Sequence, residues 1–386
     1  MNIQPFFVIP ILIRQPTWGG DYIVKAKGLN QGQLRDEKIG QSYELSAESR
    51  ISAEPAAQDA VYITDSSMGA GQQYGSVTST MDLQSLITSS PETVLGPVAP
   101  EQAAMSLLVK FTQARNNSYQ VHVKPGSEFH GWQAKPESWY YLEPGKATLG
   151  LKPGTVIAQY KQLCEEVEAM TLQLSTQVKN EQLGIHAARE QLTAFLTENH
   201  PSQFVNMVHI PKGSVVDLSV GGIHHSWEAD DQLPEGNIVY EVQVDVKDGR
   251  STIRSFDQGN LKDSGVARPL HIEDYFQAIN TSPMDNRPEA HISQPQGVTG
   301  NGIKTSTLFD TPFYKLYRYE LLGAGSIPMK TASFHHVFSQ RGDLRIEWRD
   351  LTFDLKEGRS LFIPAACGDY LLSSSDTAVV LVTTPA

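Results

Sequence analysis

Apolar and polar residues alternate over short segments of the first 150 residues, and Gly, Pro and Ser separate these segments. The alternation is clearest from Leu107 to Phe111, from Tyr119 to Val123 and from Ser138 to Leu142. Side chains of a strand point alternately to its two faces, so a period of two predicts β-strands with one buried face. The alternation resumes from Val205 to Ile210 and again from Ile238 to Val246.

The pattern changes to a helical period between residues 155 and 200. Apolar residues recur there every three or four positions, which places them along one side of a helix. Asn180 and Gly184 mark a turn between two such stripes. The sequence therefore predicts a helix–turn–helix inserted between strands, which packs against a domain surface. Its apolar residues are Leu163, Val167, Met170, Leu174 and Val178 in the first stripe and Ile185, Ala188, Leu192 and Phe195 in the second.

The last third of the chain divides into a segment without periodicity and a β-rich segment. Residues 281–304 contain no periodic apolar pattern, which is typical of a linker or a long crossing loop. Residues 305–386 contain apolar runs with turns between them, at a spacing of about 8–12 residues that is typical of a sandwich or barrel. We therefore expect an all-β dominated protein, with a first domain over residues 1–280 that carries the helical insertion and a second β domain over residues 305–386.

Composition and charge narrow the functional classes. A length of 386 residues suits two domains, and the net charge of −12 argues against a nucleic-acid partner, which selects for a basic surface. The sequence contains no run of about 18 consecutive apolar residues, so it does not predict a membrane span. The apolar run Phe6 to Ile13 is interrupted by Pro10 and follows no basic residue, so we expect a strand rather than a signal peptide. Cys164 and Cys367 form no CxxC motif, which is compatible with the cytoplasm.

Candidate metal ligands begin in the segment SYQVHV, residues 118–123. In a strand, Ser118, Gln120 and His122 share one face. A polar face on a strand with apolar neighbours makes sense when that face lines a cavity that holds an ion. Glu137 follows fifteen residues after His122, and Pro136 before it indicates a strand entry.

A histidine pair after a flexible turn completes the set of candidate ligands. The segment Gly221-Gly222-Ile223-His224-His225 brings a histidine just beyond the end of a β run. Amide, imidazole and carboxylate groups together suit zinc or iron, with one position left free for substrate or water. Calcium or magnesium would require more oxygen ligands.

The order of these motifs resembles the type I phosphomannose isomerases over roughly residues 10–280. That family is built on the cupin fold, with zinc held by the Gln and His of a Q-x-H strand, a Glu and a later His. The resemblance therefore implies zinc bound by Gln120, His122, Glu137 and His224. The segments that carry it are Trp18-Gly19-Gly20, Tyr43-Glu44-Leu45-Ser46, LLVKF (107–111), S-x-Q-V-H (118–122), KPE-x-W-Y (135–140), G-x-x-H-H (221–225), VYEVQ (239–243), IRSFD (253–257) and RPLHI (268–272).

The resemblance also implies two cupin-type jelly-roll barrels, with the helical insertion before the last histidine ligand. The second barrel is expected to be metal-free, because its turn at residues 364–370 has no histidine and His335-His336 stand elsewhere. Before the last ligand the family usually has a Pro-x-Gly turn, whereas this chain has Ser219-Val220-Gly221. The altered turn leaves both His224 and His225 open, and the residue count favours His224.

The family interconverts mannose 6-phosphate and fructose 6-phosphate by an enediol-type proton transfer, so a sugar phosphate is the expected partner. Arg254 matches the arginine that the family has beside the substrate. Lys135 matches the lysine of the K-P-E segment and is a candidate for proton transfer or phosphate contact. Ser118 shares the ligand face and is a candidate phosphate contact. Glu241 would line the pocket or belong to an outer polar surface.

Two other functions fit parts of this pattern. His122, Glu137 and His224 alone would form the two-histidine, one-carboxylate set of an iron-dependent oxygenase. The additional Gln120, Lys135 and Arg254 weigh against that function, because oxygen needs open positions on the metal. A non-catalytic sugar-phosphate-binding cupin is the third possibility, and the departures from the family motifs favour it.

Overall fold

Strands dominate the computed structural model, which describes residues 3–16, 18–29, 34–65, 71–97 and 103–386. The helices are α1 (Tyr22–Ala26), α2 (Leu83–Ser89), α3 (Pro91–Leu95), α4 (Ile157–Lys179), α5 (Ile185–Glu198) and α6 (Ile272–Ala278). The strands of the first 260 residues are β1 (Phe6–Ile9), β2 (Ile11–Arg14), β3 (Ile39–Leu45), β4 (Arg50–Ser52), β5 (Val61–Thr64), β6 (Gln72–Tyr74), β7 (Met81–Asp82), β8 (Leu107–Ala114), β9 (Tyr119–Val121), β10 (Glu137–Tyr141), β11 (Gly145–Leu151), β12 (Val205–Ile210), β13 (Val215–Asp217), β14 (His225–Trp227), β15 (Asn237–Val244) and β16 (Ile253–Phe256). The later strands are β17 (Ile292–Ser293), β18 (Val298–Gly300), β19 (Ile303–Asp310), β20 (Tyr314–Leu322), β21 (Gly325–Met329), β22 (His335–Arg341), β23 (Leu344–Trp348), β24 (Leu351–Leu355), β25 (Ser360–Ile363), β26 (Tyr370–Ser374) and β27 (Thr377–Pro385).

Four sheets contain these strands. The central sheet has the order β17-β13-β10-β15-β8-β3-β2-β5-β6, and the terminal sheet has the order β18-β19-β20-β27-β22-β25-β1-β4-β7. A five-stranded sheet has the order β12-β11-β14-β9-β16, and a fourth sheet the order β21-β26-β23-β24. The predicted β-dominated class is confirmed, and the segments of alternating residues coincide with β8, β9, β10, β12 and β15.

Strands from both ends of the chain share the terminal sheet. β1 pairs antiparallel with β25, and Phe7 lies opposite Leu361. Residues 281–304 cross between sheets, because β17 joins the central sheet and β18 the terminal one. The N-terminal strands therefore complete the sheet of the C-terminal segment, and the division into residues 1–280 and 305–386 stays a prediction.

The helical hairpin covers one side of the five-stranded sheet. α4 and α5 lie within the span predicted for the insertion, and Leu163 and Val167 of α4 are buried. They share an apolar cluster with Tyr119 and Val121 of β9 and with Tyr275 of α6. The apolar face of β9 thus packs against the hairpin, which leaves its polar face directed to the other side of the sheet.

None of the helices in the described part of the chain combines the length and the apolar character needed to cross a bilayer. The longest of them, α4, keeps one buried side, and its Leu172 is 52% exposed on the other. This pattern is typical of a helix that packs on a protein surface.

Candidate metal centre

A row of polar side chains crosses three neighbouring strands of the five-stranded sheet. On β9, Gln120 lies directly opposite His225 of β14 and opposite Arg254 of β16. Residues directly opposite each other in a sheet share a face, and so do residues two apart along a strand. Arg254, Gln120, His225 and His122 therefore belong to one face, opposite the face that packs on the helical hairpin.

Glu137 meets both histidines of this face. Its Oε2 lies 3.1 Å from Nε2 of His122, and its Oε1 lies 3.4 Å from Nε2 of His225. The three side chains are buried, and one donor atom from each lies within 4.8 Å of the others. Glu137 starts β10 of the central sheet, so the group joins two sheets.

Backbone carbonyls fix the orientation of both imidazole rings. Nδ1 of His122 lies 2.7 Å from the carbonyl oxygen of Ser251, and Nδ1 of His225 lies 2.9 Å from that of Ile223. A carbonyl only accepts, so each Nδ1 donates its N–H to it, and the neutral form of each ring directs the lone pair of Nε2 at Glu137. Burial lowers the pKa of His122 to about 4, which keeps this ring neutral near pH 7.

The group fits a divalent cation. Both Nε2 atoms are buried without a hydrogen-bond partner, and they face a carboxylate. Burial opposes the charge of Glu137, but its polar and charged neighbours, among them the Lys135 ammonium, outweigh it and hold the pKa of this carboxyl well below its usual range. Two lone pairs directed at a buried anion repel one another unless a cation lies between them. Nitrogen and oxygen donors held by outer hydrogen bonds are the arrangement that zinc and related metals prefer.

The preference for His224 over His225 does not agree with this geometry. Nε2 of His224 lies 3.0 Å from the Thr148 hydroxyl, and its Nδ1 contacts the Tyr275 hydroxyl. Its ring packs against Tyr119 on the apolar face, with 4.8 Å between ring centroids. Successive residues at the entry of β14 point to opposite faces, so only His225 reaches Glu137. Counting residues across the altered turn could not decide which of the two adjacent histidines faces Glu137, because a shift of one residue reverses the face of each side chain.

Two glycines set the point at which β14 begins. Gly221 and Gly222 have φ values of +68° and +77°, and the Gly222 amide donates to the carbonyl oxygen of His122 at 2.7 Å. A Cβ added at Gly221 would lie 2.6 Å from the carbonyl oxygen of Val123. The turn therefore packs directly on the strand that carries His122, and this contact positions His225.

We expect Gly221→Ala to destabilise the protein more than Gly222→Ala. Both substitutions incur the left-handed penalty of about 1–2 kcal/mol. At Gly222 the nearest atom to an added Cβ is Cβ of Asn280 at 3.3 Å, whereas at Gly221 backbone atoms must move. An additional loss of about 1–2 kcal/mol is expected for Gly221→Ala in urea unfolding. Equal losses for the two variants would contradict the close approach of this turn to Val123.

A second charged group lies beside Glu137. Nζ of Lys135 is 3.4 Å from Glu137 and 3.3 Å from Asp248, and the lysine is buried. Burial opposes its charge, but Asp248, Glu137 and Glu241 outweigh it and raise the pKa of Lys135. Nη2 of Arg254 lies 4.0 Å from the other oxygen of Asp248. Asp248 therefore lies between the two predicted catalytic cations, a role that sequence reasoning missed.

Glu241 lies inside the molecule and not on an outer polar surface. Its carboxylate is 2.8 Å from Nζ of Lys110, and both residues are buried. Glu241 lies opposite Trp139 of β10, two residues after Glu137, so it shares the face of Glu137. Lys110 was missed as a site residue, although a lysine inside the apolar segment LLVKF signals a buried charge. Ser118 is also buried, directly before β9.

Comparison with known proteins gives similar sequences and similar folds. No protein-family model matches the chain. A curated protein of Bacillus subtilis (strain 168) named "Putative mannose-6-phosphate isomerase YvyI" is 22% identical over 197 residues. The matched region covers 50% of this chain and 57% of that relative, so the chain spans little more than half the length of the relative.

The structural likeness extends over the whole chain. The mannose 6-phosphate isomerase of Bacillus subtilis has a TM-score of 0.66 at 18% identity and covers 98% of this chain and 99% of its own. A single-residue variant of phosphomannose isomerase from Salmonella typhimurium has a TM-score of 0.66 at 15% identity and covers 99% of both chains. At such identities the likeness concerns the fold. The chain thus resembles the phosphomannose isomerases in the order of its motifs and shares their fold.

Proposed function

We propose that this chain is a zinc-dependent aldose–ketose isomerase that interconverts mannose 6-phosphate and fructose 6-phosphate. The observation that carries the proposal is the buried group of His122, Glu137 and His225, in which two lone pairs face one carboxylate. Gln120 is proposed as a fourth ligand, because it lies directly opposite His225. The names of the structurally similar proteins supply the substrate.

We also propose that the fold consists of two cupin-type barrels and that only the first holds metal. His335 and His336 of the second are neighbours on a strand and point to opposite faces. Nδ1 of His335 lies 3.0 Å from the Tyr370 hydroxyl, and Nδ1 of His336 lies 3.2 Å from the Tyr240 hydroxyl. Two separate tyrosine contacts favour structural roles for these histidines.

A cytoplasmic location is part of the same proposal. Cys164 and Cys367 are free thiols, and both are buried. Unpaired thiols are compatible with a reducing compartment. Accumulation in the soluble fraction of the producing cell, without processing of the N-terminus, would agree with this location.

The reaction moves a proton between C1 and C2 of an open-chain sugar, and negative charge develops on the carbonyl oxygen. A bound zinc ion supplies Lewis-acid stabilisation of that charge. The chain itself must hold the sugar phosphate and carry the proton. Arg254 is proposed to stabilise the developing enediolate, because it shares the face and the row of Gln120 and His225.

Lys135 is proposed to contact the substrate next to the metal. Its ammonium group lies between Glu137 and Asp248, and these two carboxylates keep it charged and limit its movement. A charged ammonium donates hydrogen bonds to a phosphate or an enediolate oxygen. Ser118 and Glu241 are proposed to contact other substrate oxygens, and Lys110 holds the carboxylate of Glu241 in place.

A coupled assay tests the proposed function. Purified protein receives mannose 6-phosphate, and the fructose 6-phosphate formed is converted by auxiliary enzymes to a product that reduces NADP. Dialysis against a chelator should lower the rate by about a thousandfold, because a Lewis acid contributes several kcal/mol, and zinc should restore it. Metal analysis by mass spectrometry before and after dialysis measures the ion that is lost.

Three results would reject a zinc-dependent isomerase. Full activity in protein without metal would exclude the metal centre from the reaction. Binding of mannose 6-phosphate by calorimetry without turnover would favour the non-catalytic cupin. Recovery with iron alone, accompanied by oxygen consumption, would favour the oxygenase.

A further inference from the structure

A cavity of about 720 Å³ lies between the central and terminal sheets, apart from the metal centre. The central sheet contributes Phe111 of β8 and Tyr140 of β10, and the terminal sheet contributes Arg318 of β20 and Phe338 of β22. This volume is within the range of sites that bind metabolites and cofactors.

The cavity and the metal centre lie on opposite faces of the same strands. On β10, Glu137 belongs to the metal group, and Tyr140, three residues later, points to the other face. On β8, Lys110 pairs with Glu241, and the next residue, Phe111, lines the cavity. The residues that line the cavity include none of the metal group, so it is a separate site.

Charged side chains line the cavity where two sheets face each other. Facing sheets normally fill the space between them with apolar side chains. Here Ser306 of β19 lies opposite Arg318 of β20, and two residues along the same strands Lys304 lies opposite Glu320. Glu320 in turn lies opposite Val379 of β27, which lies opposite Arg341 of β22. This part of the interface is therefore open and polar instead of closely packed.

The lining has an excess of positive charge in a chain whose net charge is −12. Arg318 and Arg341 share the single carboxylate of Glu320, at 2.9 and 3.9 Å. Lys304 has no acidic partner within 4 Å among the described residues. The lining holds five cations and three carboxylates, and Lys25 also pairs with Asp21 at 2.8 Å outside the lining, so one positive charge stays in excess and attracts an anion. The charged residues are Lys25, Lys212, Lys304, Arg318 and Arg341 against Glu143, Glu320 and Glu357.

Two buried polar atoms of the lining lack hydrogen-bond partners. These are Nε of Arg318 and Oε1 of Gln340. An unpartnered buried donor or acceptor costs about 1–3 kcal/mol, which a bound ligand or ordered water offsets. The planar guanidinium fork of Arg318 matches the geometry of phosphate oxygens.

Aromatic rings form the apolar part of the lining. Tyr22 and Phe111 pack edge to face with 6.1 Å between centroids, and Phe111 and Phe338 follow at 6.2 Å. Phe111 and Phe338 are buried at the floor of the cavity, and Tyr22 is half-buried. A planar ring packs well against such a surface. The cavity thus has one cationic region and one aromatic region.

We propose that this cavity binds a phosphate monoester that carries a planar ring and has the size of a nucleoside monophosphate. The phosphate contacts Arg318 and Lys304, and the ring packs against Tyr22 and Phe111. The proposal depends on the lining alone and is independent of the isomerase function.

Titration calorimetry of the full chain tests this site with AMP as the probe. AMP should bind at least about tenfold more tightly than adenosine or inorganic phosphate, because only AMP occupies both regions. Lys304→Glu should weaken AMP binding about tenfold or more, since it removes a cation and adds an anion. The matched control is Lys315→Glu, which changes a half-exposed lysine of β20 that pairs with Asp310 outside the cavity lining.

The variant His225→Ala separates this site from the metal centre. AMP binding should persist in it, because the cavity lies on the other face of β10. The proposal is rejected by an absence of saturable AMP binding, by equal affinity for adenosine or inorganic phosphate, or by loss of AMP binding in His225→Ala. Equal weakening by Lys304→Glu and Lys315→Glu would also reject it, because a general charge effect would then explain the binding.

Discussion

Replacing His225 with alanine is expected to remove the metal and to lower kcat/KM for mannose 6-phosphate by about a thousandfold. Nε2 of the ring lies 3.4 Å from Glu137, and no other described histidine besides His122 belongs to this group. Loss of metal removes several kcal/mol of transition-state stabilisation, and about 4 kcal/mol corresponds to a factor of about 10³. Metal content by mass spectrometry and rates in the coupled assay measure both effects.

The neighbouring histidine provides the matched control. His224→Ala should retain metal, because this ring contacts Thr148 and Tyr275 on the opposite face. It should lower the melting temperature, since a buried ring and its two polar contacts are lost. Metal loss in His224→Ala together with metal retention in His225→Ala would contradict the register of β14.

The sequence predicted which side chains share a strand face better than it predicted the residue at which a strand begins. Alternation in SYQVHV correctly separated the polar face of Gln120 and His122 from the apolar face of Tyr119. These residues lie on β9 or directly after it, so period two is sufficient. The choice between His224 and His225 depends on the turn before β14, where two left-handed glycines and a contact with Val123 set the entry. Turn geometry of this kind leaves no periodic signal.

The sequence alone did not predict the contacts between residues that lie far apart along the chain. Lys110 and Glu241 are separated by 131 positions and become a buried ion pair only because β8 and β15 are neighbours. Asp248 stands in an exposed turn, and nothing local distinguishes it from a solvated acid. The terminal sheet joins β1 to β25, so the cavity between the sheets exists only in the assembled fold. Local pattern therefore indicated the elements but not these contacts.

Arg254→Ala is expected to keep the metal and to lower kcat by about 10²–10³, the usual cost of removing one group that stabilises developing charge. The side chain is 15% exposed, and its buried Nε has no hydrogen-bond partner. Arg254 lies opposite Gln120, in the row that contains His225. A donor held there without a partner is available to an oxygen of the reacting carbons.

The division between kcat and KM distinguishes this role from phosphate binding. A residue that only binds the phosphate raises KM and leaves kcat unchanged, whereas one that acts in the transition state lowers kcat. Arg254→Lys retains the charge but lacks the planar guanidinium group. It should therefore restore at most about a tenth of the kcat that Arg254→Ala loses. Arg250→Ala removes an exposed arginine from the preceding turn and should leave both constants unchanged. If Arg254→Ala raised KM alone, the guanidinium would bind the phosphate and would not stabilise the developing charge. That role would then fall to Lys135, because its ammonium lies 3.4 Å from Glu137 and is the remaining cation beside the metal centre.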